Sequence, residues 1–151
     1  MDMAKVNLQD DEYIILKESN ITPALPMALA TDEVIFTNKN IIYISKGFLG
    51  DTKKVDYFLL DDIKIIDGNV QIFEVEKYNL KYLEIDFKNR NLMFSFDSGY
   101  HRKKWIEEIT NFIKSKNDNK VVTKCVSCGA QISGIRGQYT KCQYCKSEQI
   151  L

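Results

Sequence analysis

The chain has 151 residues, 44% hydrophobic and 28% charged, which is the composition of a folded globular protein and excludes disordered and fibrous classes. Its 21 basic and 21 acidic residues balance, so overall charge gives no reason to expect nucleic-acid binding. There is no leader-like N-terminal segment and no apolar run near the ~20 residues that cross a bilayer, so we expect an intracellular, cytoplasmic protein.

The first predicted strands surround a segment that contains both prolines of the chain. Residues 13–16 form a short β-type run, and the stretch 19–31 with the two prolines follows. Because proline lacks a backbone N–H, we expect this stretch to be an irregular connection or an edge and not a central strand. Two further runs, 33–37 and 41–45, flank residues 38–40, whose asparagines suit a tight hairpin turn.

A turn bounded by Gly47 and Gly50 leads into a second series of predicted strands. They lie at residues 55–60, 63–66, 70–75, 80–87 and 91–96. In one of them, Leu83, Ile85 and Phe87 alternate with polar residues, which is typical of a strand with one solvated face. About seven or eight short strands at this spacing predict a barrel or a sandwich.

One helix is predicted after the strands. Residues 97–98 are candidate caps, and the spacing of Trp105, Ile109 and Phe112 defines one apolar helix face that ends near Lys116. A single helix after many strands has to bury this face, and we expect it to cover the open end of the sheet or barrel.

Three segments of this region resemble bacterial pleckstrin-homology-like (PH-like) and GRAM-like domains. They are Thr-Asn-Lys-Asn-Ile-Ile-Tyr-Ile-Ser-Lys-Gly-Phe-Leu-Gly at residues 37–50, the stretch 57–63, and Tyr-His-Arg-Lys-Lys-Trp-Ile-Glu-Glu-Ile at residues 100–109. The resemblance covers residues 11–116 and implies a strongly bent barrel of seven strands, capped by the helix, with Trp105 in its core. Because the family binds phosphoinositides or proteins, or acts as a scaffold, the fold does not choose among these functions.

All four cysteines lie near the C-terminus, with the spacing Cys-x₂-Cys-x₁₃-Cys-x₂-Cys. Each Cys-x-x-Cys turn directs two sulfurs at one centre, and two such turns complete the tetrahedron that Zn²⁺ prefers. The sequence therefore predicts one structural zinc ion bound by Cys125, Cys128, Cys142 and Cys145. Four thiolates leave no open position for catalysis.

The remaining residues of this region are compatible with a small zinc ribbon at residues 124–151. Gly129 fits the turn after the first pair, whereas Lys146 takes the matching position in the second, so we expect the second turn to be less regular. Residues 132–141 are predicted to form a hairpin and 147–151 a third strand. Disulfides would need an oxidising compartment, a redox pair would need a neighbouring βαβ unit, and iron–sulfur centres usually have other spacings.

Two apolar segments are candidate contact sites. Phe48 and Leu49 lie at a turn tip near Lys46, Lys53 and Lys54, as in a loop that inserts shallowly into a membrane or contacts a protein, and the alternative is that the tip folds back. The uncharged segment 24–30 is predicted to pack on the barrel rather than to form a partner groove.

The other charged groups receive structural interpretations. His101 is the only histidine and is assigned to the surface. The basic run 102–104 is interpreted as a solvated helix face, because Lys103 and Lys104 precede Glu107 and Glu108 by four residues each.

The predicted organisation is mainly β with one C-terminal helix: a PH-like barrel (1–116), a linker (117–123) and the ribbon (124–151). No catalytic constellation is found, so the predicted function is a non-enzymatic interaction or adaptor module with an unidentified protein partner. The first alternative is binding of anionic lipid through the Phe48/Leu49 loop. The second is nucleic-acid binding by the ribbon, which would use its basic and aromatic residues, namely Lys124, Arg136, Lys141, Tyr139 and Tyr144.

Overall fold

The computed structural model describes residues 6–118, 120–137 and 139–151. This part of the chain is mainly β with one long helix, as predicted. It divides into two compact units, one ending at Thr110 and the other beginning at Asn111, so the division falls within the helix. No helix in the described ranges has the length and apolar character needed to cross a bilayer.

Antiparallel strands build the N-terminal unit. In the described residues they are β1 (Ile14–Pro23), β2 (Asp32–Thr37), β3 (Asn40–Lys46), β4 (Thr52–Leu59), β5 (Ile65–Ile66), β6 (Asn69–Val70), β7 (Ile72–Lys77), β8 (Leu80–Asp86) and β9 (Asn91–Ser95), with a 3₁₀ turn at Leu60–Asp62 and helix α1 at Gly99–Asp118. Seven of them form one curled sheet in the order β4-β3-β2-β1-β9-β8-β7, and β5 pairs with β6 in a separate small hairpin.

Strand β1 joins the two halves of this sheet. It pairs with β2, passes through two register shifts, and then pairs with β9 through Thr22 and Pro23. The second shift contains Asn20 at φ 57°, a left-handed conformation that asparagine tolerates better than most residues. The prediction for 19–31 is therefore wrong in its first five residues, which belong to a central strand. Proline is tolerated there because Pro23 is the last residue of the strand.

The interior of the sheet is filled by aromatic rings from the strands and the helix. Trp105 is completely buried, with its ring 5.5 to 6.2 Å from those of Phe36, Phe94 and Phe96. Ile109, one turn further along α1, is also completely buried. The predicted core role of Trp105 is confirmed. The predicted helix face is buried at Trp105 and Ile109, whereas Phe112, its third member, is half-buried.

The opposite face of β2 and β3 is buried as well. Ile35, Ile42 and Ile44 form a second apolar cluster, against which Val6 and Val55 pack. These strands therefore have two buried faces, which explains why β3 has an almost uninterrupted apolar sequence while β8 alternates.

Polar side chains fix the turn between β2 and β3. The Thr37 hydroxyl accepts hydrogen bonds from the backbone N–H groups of Lys39 and Asn40, and it donates one to the carboxylate of Glu12. The Asn40 amide also donates to Glu12, at 2.9 Å. The Thr-Asn-Lys-Asn motif therefore ties the hairpin to the segment that precedes β1.

Each Cys-x-x-Cys pair of the C-terminal unit lies in the turn of its own hairpin. The strands are β10 (Lys120–Lys124), β11 (Gln131–Ile135), β12 (Tyr139–Lys141) and β13 (Glu148–Ile150). Strand β10 pairs with β11, and β12 pairs with β13.

This pairing corrects two predictions. The hairpin predicted within 132–141 is wrong, because a strand pairs with the partner across its cysteine turn and not with the next strand in sequence. Part of the proposed linker 117–123 belongs to β10. The returning strand predicted within 147–151 is confirmed as β13, whereas the predicted domain limits remain a prediction.

Candidate metal centre and contact loops

The four cysteine sulfurs converge on one point. All of them lie within 4.8 Å of one another, and two of the separations, Cys125–Cys145 and Cys128–Cys142, are both 3.6 Å. A tetrahedral ion with Zn–S bonds of ~2.3 Å separates its sulfurs by about 3.8 Å. The cluster is therefore capable of holding a metal ion, and the cysteines are not joined as disulfides.

The two cysteine turns have the same backbone geometry. In the first, Cys125 O accepts from Gly129 N at 2.9 Å, and in the second, Cys142 O accepts from Lys146 N at 3.0 Å. Gly129 and Lys146 both have left-handed backbones, at φ 77° and 66°. The expectation of a less regular second turn is wrong, because Lys146 adopts the strained conformation that glycine takes in the first turn.

Hydrogen-bond donors surround two of the sulfurs. The Ser147 hydroxyl, followed by the backbone amides of Cys128 and Ser127, lowers the pKa of Cys125 to about 6. The Ser147 hydroxyl and amide also lower the pKa of Cys145. Such donors stabilise thiolates, the form that binds metal.

The pKa of Cys128, unlike those of Cys125 and Cys145, is raised. The Ala130 amide lowers the pKa of this thiol, but desolvation and hydrogen bonds with the three neighbouring cysteines outweigh that effect and raise it to about 11. Four thiols this close cannot all ionise without a compensating positive charge. A soft divalent ion supplies that charge, so the donor set fits zinc.

Packing holds the inner side of the cluster. Cys125 and Cys142 are buried with Ile132, and Ala130 and Leu151 pack against them. The other two cysteines are exposed. With four protein ligands, such a site would be structural, since no position is left for a substrate.

Two loops at one end of the N-terminal unit present large apolar side chains. The 24–31 loop follows β1 and the 47–51 loop follows β3, and these strands run in the same direction because both are antiparallel to β2. Their bases are linked by a hydrogen bond from Thr31 Oγ1 to Lys46 O at 3.4 Å. Leu25, Met27, Leu29, Phe48 and Leu49 are exposed by 61, 99, 58, 81 and 88%.

The first of these loops contradicts a prediction. Residues 24–30 do not pack on the barrel: the chain turns sharply after β1 through a hydrogen bond from Leu25 N to Pro23 O, and Met27 adopts a left-handed backbone. The aromatic rings of β2, β9 and α1 already pack on one another in the interior of the sheet.

The lysines near the 47–51 loop differ in availability. The Lys46 side chain is only 7% exposed and pairs with Glu33 at 3.0 Å, so it faces the protein and not a partner. Lys54 is exposed and pairs with Asp56 at 3.2 Å, and Lys53 is exposed. Of the three lysines predicted to lie near the Phe48/Leu49 tip, only Lys53 and Lys54 are exposed.

The helix N-terminus is structural. Ser98 caps α1 by accepting a hydrogen bond from His101 N, and the His101 ring lies 3.1 Å from Asp97. Arg102 is buried and donates to Glu74 at 2.9 Å. The interpretation of residues 102–104 as a solvated face is therefore wrong for Arg102, which ties the helix to β7.

The candidate nucleic-acid residues of the ribbon are at the surface. The exposed ones are Lys124, Arg136, Tyr139, Lys141 and Tyr144. Lys141 lies opposite Glu148 in the β12–β13 pair, which offsets its charge. Nucleic-acid binding stays a hypothesis.

Comparison with known proteins agrees with the architecture. No protein-family model matches the chain, and a search of curated proteins finds no match. Among solved structures, the Vps36 N-terminal PH domain is similar, with a TM-score of 0.52 at 13% identity over 72% of this chain and 84% of that one. The chain has a PH-like fold. The predicted fold class is confirmed, whereas the finer likeness to bacterial GRAM-like domains stays a prediction.

Proposed function

We propose that this chain is a non-enzymatic, cytoplasmic adaptor whose PH-like unit binds a protein partner through the 24–31 and 47–51 loops. The observation that supports the proposal is the exposure of five large apolar side chains on two adjacent loops. Single exposed apolar residues are ordinary, but a contiguous group at one end of a domain is typical of an interaction site. Hydrogen bonds at the loop bases hold the group in place.

The C-terminal unit contributes a second rigid surface, organised by one structural zinc ion on Cys125, Cys128, Cys142 and Cys145. So small a unit buries too little apolar surface to be stable alone, so metal binding would supply much of its folding free energy. The convergence of the four sulfurs supports this assignment.

Binding to an anionic membrane is the second candidate function of the same loops. Phe48 and Leu49 form a protruding tip, a shape suited to shallow insertion, and Lys53 and Lys54 lie just beyond it. Lys46, engaged with Glu33, adds little to the attraction.

Co-sedimentation with vesicles containing phosphatidylserine separates the two candidates. The membrane candidate predicts binding that weakens with salt and is lost in Phe48→Asp but kept in Ile66→Asp, a control that alters an equally apolar, exposed residue in the β5–β6 hairpin. Absence of binding at low salt removes the membrane candidate.

A photo-crosslinking amino acid at position 48 tests the protein-partner proposal in cells. It should give a discrete protein adduct that is absent when the same group is at position 66 and is lost on adding Met27→Asp. The same adducts from both positions, or none from position 48, would contradict the proposal.

A further inference from the structure

The second cysteine turn is followed by a hydroxyl at a position where the first turn is followed by an alanine. Ser147 Oγ lies 3.0 Å from Cys145 Sγ and 3.4 Å from Cys125 Sγ, one sulfur from each Cys-x-x-Cys pair. Ala130 occupies the equivalent place after the first turn: Cys125 N donates to Ala130 O, as Cys142 N donates to Ser147 O. The two turns share a backbone, but only one has a side-chain donor directed at the sulfurs.

We propose that Ser147 is a positioning residue that sets the strength and exchange rate of the metal site by donating its hydroxyl hydrogen bond to the Cys145 thiolate. The inference rests on the proposed zinc site. A hydroxyl has one proton and donates to one sulfur at a time: Cys145, at 3.0 Å, is the nearer acceptor, and Cys125, at 3.4 Å, is the alternative one.

The Ser147 hydrogen bond acts on Cys145, a candidate metal ligand that is exposed to solvent. Cys145 is exposed, so its sulfur is open to a chelator or a competing metal, unlike the buried Cys125 and Cys142. A hydrogen bond withdraws negative charge from the thiolate and restrains its rotation. Four thiolates give the site a net charge of two negative around a divalent ion, so each donor that disperses this charge stabilises the complex.

Cobalt-substituted protein provides the test, because its sulfur-to-metal charge-transfer band reports the electron density on sulfur. In Ser147→Ala we expect the band to move to longer wavelength and metal transfer to a chelator to become about tenfold faster. Ser147→Thr restores the hydroxyl and should restore both values. Ser127→Ala, which removes an exposed hydroxyl from the first turn but keeps its amide, should leave both unchanged.

The outcomes separate the inference from the site on which it rests. Wild-type protein that binds no cobalt would refute the metal site and the inference together. A wild-type site that binds cobalt, with Ser147→Ala unchanged in band and rate, would refute the inference alone. So would a Ser147→Thr variant that behaves like Ser147→Ala, since the hydroxyl would then not be the active feature.

Discussion

Lys146→Gly should strengthen the metal site. Lys146 holds a left-handed backbone at φ 66°, which disfavours a residue with a Cβ by about 1–2 kcal/mol. Glycine removes that strain but loses about 0.5–1 kcal/mol more conformational entropy on folding. The net gain is about 0.8 kcal/mol, which corresponds to roughly fourfold tighter apparent binding because folding and metal binding of the ribbon are coupled.

The assay is competition for Zn²⁺ against a chromophoric chelator at fixed pH, with two matched variants. Lys146→Ala removes the same positive charge but keeps a Cβ, so the difference between the glycine and alanine variants isolates the backbone term. Gly129→Ala should weaken binding by a comparable factor, because Gly129 has a left-handed backbone at φ 77°. An added Cβ there would have no atom within 4 Å, so backbone strain is the only cost of the substitution and no steric clash is added to it. Equal affinities for Lys146→Gly and Lys146→Ala, or an unaffected Gly129→Ala, would refute the reasoning.

Two further predictions concern the two units separately. Burial raises the pKa of Glu12, but hydrogen bonds from Thr37 and Asn40 outweigh it and hold the pKa below its usual value. The stabilisation that these bonds provide is therefore present above the unfolded-state pKa and lost as pH falls through the folded value. Glu12→Gln should lower the melting temperature at pH 7 and flatten its decline below the ordinary glutamate pKa of ~4.3, as followed by thermal melts; an unchanged pH profile would contradict this. Gly134→Ala should weaken metal binding about tenfold in the chelator assay, because its Cβ would overlap Thr140; unchanged affinity would show that this contact is not required.

Local patterns predicted most of the strands, the helix and the cysteine cluster. Cysteine spacing places ligands regardless of what surrounds them, and the spacing of Trp105 and Ile109 identifies the helix face that the sheet buries. Ser98 is confirmed as the cap because capping depends on residues only a few positions apart.

The wrong predictions depend on contacts between distant parts of the chain. The chemistry of proline alone cannot show that Pro23 ends a strand that pairs first with β2 and then, at its last residues, with β9. The burial of Arg102 depends on Glu74 in β7, and that of Lys46 on Glu33 in β2. Only the continuous apolar sequence of β3 signals that both of its faces are buried.

The loops and turns were the least predictable parts of the candidate sites. Whether residues 24–30 cover the barrel depends on how completely other side chains fill it, which composition does not reveal. The left-handed conformation of Lys146 follows from a cysteine turn that imposes its geometry on whichever residue occupies that place.

Elemental analysis of reduced protein, purified without added metal and measured together with thiol reactivity, tests the central claim most directly. We predict one zinc ion per chain, and four thiols that react with a thiol reagent only after a chelator has removed the ion. Native protein without metal, whose four thiols react at once, would contradict the account.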